Sequence, residues 1–76
     1  MDEKKFLNCI REAFELDKYA EVSLNDYFKS YDEWDSLSQL SLIAMLDEEY
    51  GLELESASLE KLNTIGELLE WVKKKS

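Results

Sequence analysis

The sequence predicts an all-α fold, a small four-helix bundle with three longer helices, one short helix and a long loop between helices 1 and 2. Three observations carry this. Apolar residues recur at three- and four-residue intervals in three separate stretches, which is the helical period. Capping signals stand at the heads of the later stretches, and Gly51 stands at the foot of the middle one. Between the first two stretches lie about 17 residues without sustained period. With no internal repeat and no linker, residues 1–76 are expected to form a single domain.

The first helix is expected over residues 2 to about 17, with Phe6, Leu7, Ile10, Ala13 and Phe14 as its buried stripe and Asp2 and Glu3 suited to its first turn. Cys9 reads as a packing residue. A catalytic thiol needs an activating base, and the chain has no His. Residues 18–34 read as a loop pinned by Tyr27, Phe28, Tyr31 and Trp34, with a short turn near 25–29. A loop this long in so small a domain is often functional. Asp32, Glu33 and Asp35 lack the alternating ligands, central Gly and terminal Glu of a calcium loop.

The second helix runs to about Tyr50. Asp35 is a good N-cap, although Ser36 and Gln39 also have capping-box spacing, so its start is open by one residue. No Gly or Pro interrupts it before Gly51. At 100° per residue, Leu42, Ile43, Leu46 and Tyr50 form one apolar stripe. Leu37, Leu40 and Ala44 form a second on the opposite side, with Ser41 and Glu48, while Asp47 and Glu49 lie at the edges. A bundle helix needs only one stripe. The second is either scattered exposed apolar residues, which are common, or an acid-rimmed docking surface, and spacing alone leaves both open.

Leu52-Glu53-Leu54 alternates and reads as an extended connector with both leucines turned inward. A short helix is expected from Ser56 or Ala57 to Leu62, capped by Ser56 and anchored by Leu59 and Leu62. Thr64 and Glu67 form a capping box for the last helix, whose stripe is Ile65, Leu68, Leu69 and Val72, flanked by Trp71. Lys73, Lys74 and Lys75 read as a solvated helix end.

Composition narrows the function. Eighteen acidic residues against nine basic give a net charge of −9, which repels nucleic acid and steers basic protein surfaces towards the chain. No apolar run is long enough for a membrane span, and Met-Asp-Glu-Lys-Lys lacks a signal-peptide core. The single Cys9 cannot form an internal disulfide, which fits a cytoplasmic protein, and a monomer is expected. The chain has no His, no Gly-rich phosphate loop and no metal-ligand cluster, so it is not expected to be an enzyme.

Asp35-Ser36-Leu37, continued through Leu42-Ile43-Ala44-Met45-Leu46-Asp47-Glu48-Glu49-Tyr50-Gly51 and Leu59-Glu60-Lys61-Leu62-Asn63-Thr64-Ile65, resembles the acyl carrier protein family over about 40 residues. The resemblance implies a 4′-phosphopantetheine arm on Ser36, attached by a phosphopantetheinyl transferase with Asp35 positioning the Mg²⁺-dependent transfer. It implies docking of acyl- or aminoacyl-loading and acyltransferase-type enzymes, through basic surfaces, at Leu37, Leu40, Ala44, Asp47 and Glu48. Leu42, Leu46, Leu54, Leu62, Leu68 and Trp71 match core positions that can shelter an acyl chain. Glu33-Trp34 stand where fatty-acid carriers usually have Gly and a small or polar residue, and Ser38 and Ser41 stand where those carriers are often acidic. The Trp-Asp-Ser-Leu form looks more like stand-alone carriers of specialised pathways. The alternative is an acidic helical interaction adaptor that is never modified.

Overall fold

Residues 3–75 are described by the computed structural model, so the Asp2 expected in the first turn lies outside them. Four helices follow one another: α1 (Glu3–Ala13), α2 (Ser36–Tyr50), α3 (Ser56–Glu60) and α4 (Ile65–Lys75). A single 3₁₀ turn, Phe28–Ser30, interrupts the long connection between α1 and α2. The all-α architecture of three longer helices and one short helix is as expected.

Helix α1 stops at Ala13, four residues before the expected end. The Leu16 amide bonds the Arg11 carbonyl (2.8 Å) and the Glu15 amide bonds that of Glu12 (3.1 Å), which together close a Schellman turn. The left-handed position of that turn is held by Glu15, at φ 56°, where glycine is the usual residue. The apolar period runs past the break because Phe14 and Leu16 still pack on the core.

Phe6, Ile10, Phe14, Phe28, Leu42, Leu46, Leu59, Ile65, Leu68 and Val72 are the largest fully buried side chains. The first apolar stripe of α2 therefore faces inward, joined by Met45 and Ser38, which periodicity alone had not placed there. Leu54 is buried and Leu52 half-buried, as expected of the connector. Cys9 is buried with its sulfur 3.9 Å from a Glu49 carboxyl oxygen. Burial, then the charges of Glu49 and Glu12, push its pKa up, so the thiol stays protonated.

The short helix differs in detail. It ends at Glu60 rather than Leu62, because residues 61 and 62 continue as i→i−3 turns. Its N-cap is Glu55, with no side-chain cap bond, so Ser56 is the first helical residue and not the cap.

Helix α4 begins with nearly every exposed amide satisfied. Glu67 Oε1 accepts from the Asn63 and Thr64 amides (both 2.9 Å), and Thr64 Oγ1 accepts from the Glu67 amide (3.1 Å), which is the expected capping box. The long loop supplies the rest. The Ile65 amide bonds the Asp26 carbonyl (3.0 Å) and the Gly66 amide bonds that of Leu24 (2.8 Å). That approach suits glycine, since a Cβ on Gly66 would sit 3.0 Å from the Leu24 oxygen and the loop would have to give by a few tenths of an ångström.

Alanine is the better helix former, so Gly66→Ala would raise stability by roughly 1 kcal/mol if the site were open. Here the clash with Leu24 reverses the sign. The expected result is a net loss of about 1 kcal/mol, read as a Tm about 4–8 °C lower by thermal unfolding.

Candidate functional site

The loop before α2 has almost no regular hydrogen bonding, so side chains must place its end. Trp34 packs edge-on against Phe14 (ring centroids 5.6 Å apart) and Phe28 (5.2 Å), and Tyr31 meets Phe14 at 5.9 Å. The Tyr31 hydroxyl donates to Asp26 (2.8 Å), and burial raises its pKa well above the usual phenol value. The chain thus reaches Asp35 from a fixed aromatic platform.

Asp35 is the N-cap of α2, in extended backbone (φ −155°), and its Oδ1 accepts the Ser38 amide at 2.8 Å. This settles the helix start in favour of Asp35, and the Gln39 amide bonds the Asp35 carbonyl (3.0 Å). The Ser38 amide, and more weakly the Leu37 amide, hold the Asp35 carboxyl below its ordinary value.

Ser36 is the first helical residue and is exposed. Neither its hydroxyl nor its amide has a hydrogen-bond partner among the described residues. Apart from the Ser38 amide that Asp35 caps, the start of α2 is thus less filled than the start of α4. A helix N-terminus with free amides favours a phosphate group, and the hydroxyl can be reached by a partner enzyme. Glu33 and Asp35 oppose an anion there, but both are exposed and their charge is screened by solvent. These residues fit a phosphodiester on Ser36.

Leu37 and Leu40 are 67% and 63% exposed, and Ala44, Asp47 and Glu48 are exposed beyond them. The second stripe of α2 is thus an uncovered apolar strip leading away from Ser36, flanked by acid. Of the expected pocket residues, Leu42, Leu46, Leu54 and Leu68 lie within the close-packed core. Leu62 and Trp71 are half-buried, pack against that core and also line an open groove of about 520 Å³, together with Leu24, Leu69 and Glu70. Asp32, Glu33 and Asp35 are all exposed, and among the described residues no three acidic, His or Cys side chains gather as a metal-binding group. No helix among those residues is long and apolar enough to cross a membrane.

Ser38 was visible in the sequence only as a missing acid. It is buried, and its hydroxyl donates to the Glu33 carbonyl. Its position three residues after a cap, on the face shared with Leu42, was the available signal.

The pKa shift of Asp35 sets a pH dependence. Its folded value lies below the ordinary 3.8, so its contribution to stability is fully present above that pH and is lost as pH falls through the folded value. Asp35→Asn keeps the cap but removes the charge. The Tm of the wild type should exceed that of Asp35→Asn at neutral pH, and the gap should close below about pH 4.

Comparison with known proteins agrees with this geometry. Residues 4–72 match the model of the phosphopantetheine attachment site family. An acyl carrier protein of Lactobacillus acidophilus is 29% identical over 77 residues, covering 96% of this chain and 95% of that protein. The solution structure of holo acyl carrier protein from Geobacter metallireducens superposes with a TM-score of 0.78 at 30% identity, covering 99% of this chain and 86% of that one. The helices, the open start of α2 and these matches lead to one conclusion: the chain belongs to the acyl carrier proteins, the family defined by a phosphopantetheine attachment site.

Proposed function

We propose that Ser36 is the attachment point of the 4′-phosphopantetheine arm, and that the chain carries an acyl or aminoacyl group in a specialised pathway. The observation that carries this reading is the exposed, unpartnered Ser36 hydroxyl at the open start of α2. The chain is a carrier and not an enzyme, so the attachment chemistry is done by a phosphopantetheinyl transferase. In that transfer, Ser36 Oγ bonds to the coenzyme A phosphorus that bears the pantetheine arm. The bond from that phosphorus to the departing 3′,5′-adenosine bisphosphate breaks, and the serine proton passes to a base on the transferase. When bound, the arm supplies a thiol that holds cargo as a thioester and raises its effective concentration at a docked enzyme.

The chain's own residues position and recognise. Asp35 fixes the turn and offers a carboxylate beside the reacting hydroxyl. Leu37, Leu40 and Ala44 form the apolar centre of the docking surface, and Asp47 and Glu48 attract basic partners. The Glu33-Trp34, Ser38 and Ser41 departures from the fatty-acid pattern favour a specialised pathway, and the single Cys9 fits the cytoplasm. Leu42, Leu46, Leu54 and Leu68 hold the core whether or not cargo enters it, and Leu62 and Trp71 offer a partly exposed apolar surface.

Incubation with coenzyme A, Mg²⁺ and a broad-specificity transferase should add one phosphopantetheine mass to the intact protein. Ser36→Ala should stay at its original mass. An unmodified wild type, or a modified Ser36→Ala, would return the chain to the class of unmodified adaptors.

Docking should depend on both parts of the strip. Leu40→Ala should weaken binding to the transferase at every ionic strength. Glu48→Gln should weaken it only in low salt, with the difference gone above about 0.5 M, where the Debye length falls to a few ångströms. Titration calorimetry across a salt series reads both effects.

A further inference from the structure

We propose that Ser38 is a positioning residue for the attachment reaction, holding the segment that presents Ser36 in the form the transferase binds. This rests on Ser36 being the attachment point. Ser38 is the one buried polar side chain among the described residues, at 8% exposure. It clamps the turn at two points. Its amide donates to the Asp35 side chain (2.8 Å), and its hydroxyl donates to the Glu33 carbonyl. Each bond reaches back across Ser36, so the six-residue segment from Glu33 to Ser38 is closed around a serine whose hydroxyl makes no hydrogen bond.

The remaining supports of that segment lie to one side. Trp34 fixes the approach by packing on Phe14 and Phe28 but bonds to nothing beyond Tyr31. Asp35 caps the helix from full exposure. Without the Ser38 hydroxyl, the peptide after Glu33 keeps only its Trp34 amide bond to the Tyr31 carbonyl, on the loop side, and loses the one that ties it to α2. The transferase then meets a carrier whose competent form is only partly populated. A population cost of this kind raises apparent dissociation constants, while the docked complex can still react at its full rate. Loss of one hydrogen bond of ordinary strength limits the effect to about fivefold.

The experiment measures KM and kcat for phosphopantetheinylation of the full chain by mass, with Tm alongside, for wild type, Ser38→Ala, Ser38→Thr and Gly66→Ala. Ser38→Ala should raise KM about two- to fivefold with kcat within about twofold. Ser38→Thr, which keeps the hydroxyl, should restore the wild-type KM. Gly66→Ala should lower Tm but leave KM unchanged at a temperature where it is folded. Ser38→Cys keeps the volume with a much weaker donor, and it supplies the same comparison if the alanine variant does not fold. A wild-type KM for Ser38→Ala (or for Ser38→Cys in its place) would overturn the proposal, as would an equal rise in Gly66→Ala. A wild type that is not modified at all would overturn the attachment reading instead, so the two failures are distinct.

Discussion

Edge-on packing of Trp34 against Phe14 and Phe28 is the contact on which the working end of the molecule depends. Phe14 stands just past the end of α1, Phe28 opens the 3₁₀ turn, and Trp34 stands two residues before α2. One cluster therefore joins the two ends and the middle of a connection that has little regular structure. Aromatic pairs of this kind add about 0.5–1.5 kcal/mol each beyond the area they bury. For a chain of 76 residues, whose total stability is of order 5 kcal/mol, a few such pairs are a large share. The cost of ordering the loop is met by side chains where backbone bonding cannot meet it.

The same loop explains why the two later long helices begin so differently. Its carbonyls at Leu24 and Asp26 fill the start of α4, and Lys29 reaches the Glu60 carbonyl (3.1 Å) at the end of α3. At the start of α2 the loop's Glu33 carbonyl takes the Ser38 hydroxyl rather than a backbone amide, and the chain turns directly from the aromatic cluster into the helix. Free amides at a helix start are costly only when buried. In α2 Asp35 takes the Ser38 amide while Ser36 and Leu37 are exposed residues, so the fold tolerates a partly open end there, which suits an attached phosphate group.

Much of this was legible in the sequence because the signals were local. Asp35 as a cap, Gly51 (φ 64°) as a stop and the Thr64–Glu67 box each depend on residues within one turn of one another. The two faces of α2 were readable from the 3.6-residue period, and the structure divides them as buried and exposed. The rest depended on distant partners. Helix α1 ends where Glu15 takes a left-handed conformation that no glycine announces. Glu55, not Ser56, precedes the first turn of α3, since that helix is placed by Leu59 and not by a cap. The preference for glycine at position 66 comes from a carbonyl 42 residues earlier in the chain. Ser38 looked like a neutral replacement for an acid until its hydroxyl was seen to face the Glu33 carbonyl.

The exposed leucines pose the remaining physical question. Burying a leucine side chain fully is worth about 1.5–3 kcal/mol, so leaving Leu37 and Leu40 largely in water forgoes stability that a small domain could use. An uncovered apolar strip also invites self-association. The net charge of −9 opposes that, because two copies bringing their strips together would bring acidic surfaces together as well. A basic partner meets no such barrier and gains from both the leucines and the carboxylates of Asp47 and Glu48. Under the proposed function, charge thus selects which surface covers the strip, and because these charges are exposed, the attraction stays weak enough for release. A carrier that must leave one enzyme to reach the next is better served by that balance than by a larger apolar face.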